Sequence, residues 1–202
     1  MRLPDEHYEF IKGEVAHILK KCRIRCIPIS GFEIAMKLGI LLRPYSSLNA
    51  IQREAAMSIS SDGFFIEDNH GRSIIFYNDS KSYERVNMTI LHEIGHCVLD
   101  HGVNPNGHND EEEAEAKFFA KYIAAPPPLI DRIHPESPQD IMEWFCISWE
   151  AAIYAFDYYN KWKRIQAHRD KKEYESIIVE LIVTNSNNVR KRLSAYKDLR
   201  RA

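Results

Sequence analysis

Residues 92–96 read His-Glu-Ile-Gly-His inside the longer run Thr89-Ile90-Leu91-His92-Glu93-Ile94-Gly95-His96-Cys97-Val98-Leu99, and nothing else in the chain limits its fold as much. On an α-helix His92 and His96 stand at i and i+4, so both imidazoles leave one face a turn apart and can close on a single ion. Glu93 follows the first His directly, which swings its carboxylate beside such an ion and not onto it. This is the spacing of a zinc hydrolase helix, with two imidazole ligands and a carboxylate as general base for a water. The flanking Ile90, Leu91, Ile94, Val98 and Leu99 predict that the helix is buried. Left unpartnered in such a setting, each of the three polar groups would cost roughly a few kcal/mol, and one metal ion satisfies all of them. The competing reading, a surface helix whose His residues are simply solvated, fits the apolar flanks poorly.

Hydrolysis at zinc needs a third protein ligand and an open fourth position. Downstream of His96 comes an acidic run, Asp110-Glu111-Glu112-Glu113-Ala114-Glu115-Ala116, which leads into Phe118-Phe119-Ala120 and ends before Pro126. Ala116, Ala120 and Ile123 follow Glu113 at i+3, i+7 and i+10, so Glu113 shares the apolar face of a second helix. Glu111, Glu112 and Glu115 point elsewhere and suit the first turn, where acids complement the helix dipole. Face geometry favours Glu113 as third ligand over Glu112 or Glu115.

With these residues in view the chain resembles the ImmA/IrrE metallopeptidases of phages, mobile elements and bacteria. The matching positions are His92-Glu93-Ile94-Gly95-His96, then Glu113-Ala114-Glu115-Ala116 into Phe119-Ala120 with a helix closing at Pro126. Upstream, Gly71-Arg72-Ser73-Ile74-Ile75-Phe76-Tyr77-Asn78 and Arg85 are also similar, as is Ile147-Ser148-Trp149-Glu150-Ala151-Ala152 downstream. The resemblance covers about residues 30–155. It implies one Zn²⁺ per chain held by His92, His96 and Glu113, with Glu93 as the catalytic base. It also implies a protein substrate, a helix-turn-helix transcriptional repressor cut in an anti-repressor role. Lys117 departs from the pattern, standing where the family usually has an Asn that supports the site.

Other features set the frame. A charged fraction of 28% and an apolar fraction of 45% are ordinary for a soluble protein, and no 18-residue apolar run exists to span a membrane. Met1-Arg2-Leu3-Pro4-Asp5-Glu6 holds no hydrophobic signal core, which predicts a cytoplasmic protein. Cys22, Cys26, Cys97 and Cys146 have no zinc-knuckle spacing and read as reduced thiols, with Cys97 buried beside a ligand.

The expected fold class is α+β: a zincin-like core of a small antiparallel sheet packed on the His-Glu helix, with helical N- and C-terminal parts. The division is 1–57, a helical lead-in with a short strand; 58–136, the peptidase core; and 137–202, a helical region with a basic tail. A first helix over 5–21 buries Phe10, Ile11, Val15, Ile18 and Leu19; a second runs from Ser30 to its stop at Gly39, and a strand covers 40–45. Residues 58–67 and 73–77 form a hairpin turning at Asp68-Asn69-His70-Gly71. Such an edge beside the helix can hold an extended peptide by strand addition. Tyr77, at the strand's end, either donates to an oxyanion or is a core tyrosine. Asp100 to Asn109 is a loop. His101 is poorly placed to bind the same ion unless the helix ends first, so His101 and His108 are candidates for the substrate-binding rim. Ser137 and Ser148 cap two further helices. The tail 161–202 holds twelve Lys or Arg against five Asp or Glu, a net of +7 beside −9 for the remainder. It reads as a solvated helical hairpin broken near Asn185-Ser186-Asn187-Asn188, with contact to nucleic acid the less favoured alternative.

Overall fold

The computed structural model describes residues 2–101 and 109–181. Two compact units divide the chain: Met1–Ile11 with Ser30–Ala120, and Lys12–Ile29 with Lys121–Ala202. The fold class is α+β.

In the first unit, α2 (Gly31–Leu38) begins at Ser30, whose hydroxyl accepts from the Glu33 N–H, and stops at Gly39, which is left-handed at φ 76°. The strand β1 (Leu41–Pro44) follows, then a 3₁₀ turn (Tyr45–Ser47) and α3 (Ala50–Ile59). Next come β2 (Gly63–Glu67), β3 (Ser73–Tyr77) and α4 (Tyr83–Val98). The sheet order is β1-β3-β2. β2 and β3 form the expected antiparallel hairpin, with Phe65 opposite Ile75, whereas β1 joins β3 in parallel, with Leu42 opposite Ile75. The sheet is therefore mixed and not wholly antiparallel, because the chain between β1 and β3 returns through α3 and β2 before pairing.

The helix α4 packs on α2 and on both hairpin strands. Ile90, Leu91 and Ile94 of α4 are fully buried together with Ile34, Ala35 and Ile75. A polar tie orders the α2 contact: Asn87, itself buried, accepts from the Gly31 N–H at 2.7 Å, which satisfies one of the donors a helix start leaves over. Two residues earlier on α4, Arg85 grips Asp62 through two bonds, at 2.5 and 2.9 Å, and fixes α4 to the turn before β2.

Two expectations need correction here. The first hairpin strand starts at Gly63, not at 58, since residues 50–59 are α3; a capping box of Asn49 with Gln52 and a run of helix-forming Ala residues outweigh the β-branched Ile59. On α1 (Asp5–Lys21), Ile11, Val15, Ile18 and Leu19 are buried as expected, but Phe10 is 59% exposed.

In the second unit, α6 (Pro127–Ile133), α7 (Pro138–Phe145), α8 (Trp149–Gln166) and α9 (Glu173–Leu181) pack with α8 as their common partner for α6 and α7. Ser148 caps α8 as expected, accepting from the Ala151 N–H at 3.3 Å. The short helix α6 takes Pro127 and Pro128 into its first turn, where Pro is well suited because its missing N–H costs nothing. Glu175, almost fully buried, joins α9 to α8 by accepting from Trp162 Nε1 at 2.6 Å and from Arg169 at 2.5 and 3.0 Å. Burial alone would raise this carboxyl, but the bonds from Arg169, Trp162 and the Lys172 N–H win and hold it below its usual range. The expected helix break at Asn185-Ser186-Asn187-Asn188 and the second half of the basic tail lie outside the described residues. Among the described residues no helix is long and apolar enough to cross a membrane.

A candidate metal centre on two helices

On α4, His92 and His96 leave the same face as the i, i+4 spacing requires, and their Nε2 atoms lie 3.1 Å apart. The second helix, α5 (Asp110–Ala124), starts at Asn109, whose side chain accepts from the N–H groups of Glu111 and Glu112 at 2.9 Å each while Glu112 accepts from the Asn109 N–H at 3.0 Å. This capping box spends Glu112 on the helix end and leaves Glu113 as the next side chain along. Gly95 then decides how near the helices come: a Cβ built there would sit 3.2 Å from Phe119 Cδ1 and 3.3 Å from Ala116 Cα. Without a side chain at 95 the first turns of α5 reach the His pair. Glu113 Oε1 lies 3.4 Å from His96 Nε2, and Oε2 lies 3.7 Å from His92 Nε2.

These three edges can be compared with what a metal demands. Zinc bonds of about 2.0–2.1 Å arranged tetrahedrally put neighbouring ligand atoms about 3.3–3.4 Å apart. The observed distances are 3.1 Å between the two nitrogens and 3.4 and 3.7 Å from them to the two different oxygens of Glu113, close to that value. Two imidazoles and a carboxylate could therefore hold a divalent ion, and the grouping is one of two such donor clusters among the described residues. An ion held there supplies Lewis acidity toward a water and toward a carbonyl.

Glu93 is buried beside this cluster. Its carboxyl is pushed up to about 8, first by burial and then by the negative charge of Glu113, with a hydrogen bond from the Phe65 N–H pulling the other way. A cation among these groups opposes both causes, so the readiness of Glu93 to accept a proton is coupled to metal occupancy. The Phe65 bond also ties the site to the sheet, since Phe65 lies on the edge strand β2.

The remaining residues singled out in the sequence are not members of this donor cluster. Tyr77 is half-buried, its ring edge-on to Phe32 at 5.6 Å, and burial followed by Asp79 raises its hydroxyl. His101 does not face outward: its side chain is 5% exposed and its Nδ1 lies 2.9 Å from His96 Nδ1. His108 lies outside the described residues. Cys97 is half-buried, with Sγ 3.9 Å from Ser73 Oγ, and all four cysteines are free thiols. Lys117 Nζ lies 3.2 Å from Glu113 Oε2, so it contacts the candidate ligand itself. Sequence reasoning missed Glu115, read as part of a solvated acidic turn: it is 16% exposed and sits between His101 and His7. His7 lies 108 positions away along the chain, which no periodicity could have signalled.

Residues 50–157, more than half of the chain, match a family of peptidases whose model is described as the IrrE N-terminal-like domain. The chain belongs to this family. The matched segment of this IrrE N-terminal-like peptidase runs from α3 into α8 and includes the hairpin, His92, Glu93, His96 and Glu113. Its activity is accordingly of the metallopeptidase type. Among curated proteins none matches the chain.

Proposed function

We propose that the chain is a zinc endopeptidase whose ligands are His92, His96 and Glu113 and whose general base is Glu93. The observation that carries this reading is the clustering of two imidazole nitrogens and a carboxylate from two helices, with a buried carboxyl one residue from the first ligand. Glu93 accepts a proton from the attacking water and delivers it to the leaving amine nitrogen. The substrate lies extended beside β2, because the Phe65 N–H of that strand donates to Glu93 and so brings the sheet edge to the catalytic carboxyl. An edge that reads backbone groups accepts an internal stretch of chain, which favours cleavage within a protein over trimming at an end. The substrate class, a helix-turn-helix transcriptional repressor, rests on the resemblance of the two ligand-bearing segments to the ImmA/IrrE peptidases.

The Lys117 contact favours a second reading, in which the protein binds and sequesters such a regulator without cutting it. A cation at that distance from Glu113 competes with a metal for the same carboxylate. One variant separates the two. Glu93→Gln keeps the shape of the site but cannot take up the water's proton, so repressor cleavage should fall by orders of magnitude while repressor binding persists. If Glu93→Gln relieves repression in cells as well as the parent protein does, sequestration is the activity.

A further inference from the structure

A Schellman motif closes α4. Asp100 is left-handed at φ 57°, and the His101 N–H donates to the His96 carbonyl at 3.1 Å. This cap brings the residue after the left-handed one back beside the residue five positions earlier. The His101 ring is thereby returned to the His96 ring, although a continued helix would have carried it to another face. The two Nδ1 atoms are 2.9 Å apart. Beyond them His101 Nε2 lies 2.9 Å from Glu115 Oε2, and Glu115 Oε1 meets His7 Nδ1 of α1 at 2.6 Å. The inner part of this chain is out of water, with His96 1% and His101 5% exposed.

One placement of protons satisfies these distances together. An imidazole that gives its Nε2 lone pair to a metal carries its proton on Nδ1. From His96 that proton points at His101 Nδ1, which accepts it only as a bare lone pair. His101 then carries its own proton on Nε2 and donates it to the Glu115 carboxylate. We infer that His101 and Glu115 are positioning residues that lock His96 in the tautomer and orientation where Nε2 faces His92 and Glu113. A carboxylate behind a metal-binding imidazole is a common device; here an additional imidazole stands between, and His7 holds the outer oxygen of the carboxylate. The inference rests on the proposed ligand set.

The test measures zinc affinity of the full-length protein by competition with a chromophoric chelator. Leu at position 101 keeps much of the volume and offers no polar atom, whereas Gln offers an amide oxygen toward His96 and an amide N–H toward Glu115. His101→Leu should weaken zinc binding by about 10–100-fold and His101→Gln should recover most of that loss. Glu115→Leu should weaken it similarly, and the double variant should be no worse than either single one, because the two act as a unit. Equal affinity of His101→Leu and parent, where His92→Ala and His96→Ala both lose the metal, overturns the relay and leaves the ligand set standing. A parent protein that binds no zinc overturns both. Nitrogen NMR of the zinc-loaded parent gives a reading that needs no variant to fold: His101 should be protonated on Nε2 and bare on Nδ1, and the reverse tautomer overturns the inference.

Discussion

Replacing Glu93 by Gln should stabilise the chelator-treated protein, and the gain should grow with pH. Burial and the neighbouring Glu113 raise the Glu93 carboxyl from the ordinary 4.5 to about 8 in the metal-free arrangement. Between those values the native state holds a proton that the unfolded state has lost, so native stability declines as pH rises through the window. The slope approaches about 1.4 kcal/mol per pH unit, which accumulates to roughly 3 kcal/mol at pH 7. Gln does not titrate, and its amide oxygen can still accept the Phe65 N–H. Urea unfolding of parent and variant between pH 5 and 8, with chelator present, yields the difference directly. Zinc should reverse the ordering by returning the charge balance to the carboxylate. A parent-to-variant difference that stays flat across the window, or shrinks as pH rises, would refute the argument that Glu93 is held neutral by its surroundings.

Gly95→Ala sets a helix-propensity gain of about 1 kcal/mol against overpacking of about 1–3 kcal/mol, since two of the three nearest atoms belong to the α5 backbone and cannot rotate away. Calorimetry should show little net change in stability while zinc affinity drops, because α5 carries Glu113; a variant more stable by about 1 kcal/mol with parent affinity speaks against the close approach. Arg169→Met leaves the Glu175 carboxylate buried without its cation and should cost about 3 kcal/mol at neutral pH, read by Trp162 fluorescence during urea unfolding. As the folded Glu175 titrates below its usual range, that contribution is present above about pH 4.5 and fades as pH falls further, so variant and parent should converge in acid; a constant gap would contradict the assignment.

The candidate centre was legible where helical periodicity governs it. His92, His96 and Glu113 were reached by counting along two helices, and the hairpin by its β-branched run. Local chemistry settled other points, since Ser30, Gly39 and Ser148 mark helix ends through their own side chains or backbone freedom. The helix α3 was overlooked although Asn49 and Gln52 announce it, because Ile59 and the following Phe residues drew the strand assignment too far upstream. What stayed hidden depends on a departure from periodicity. Asp100 reverses the chain after α4, so the placement expected for His101 on a continued helix does not apply, and Glu115 gains His101 as a partner through that reversal.

The two borders of the small sheet are treated differently. β1 ends in Pro44, whose nitrogen has no hydrogen to offer, while β2 runs from Gly63 to Glu67 without a proline. The outer edge of β2, although its Gly63 and Phe65 N–H groups already donate to Ser60 Oγ and to Glu93, presents its carbonyls to a second copy of the same protein as much as to a substrate. At high protein concentration, self-association through β2 would occupy the place of the substrate and act as competitive inhibition by the protein itself. Specific activity would then fall on concentration and return on dilution.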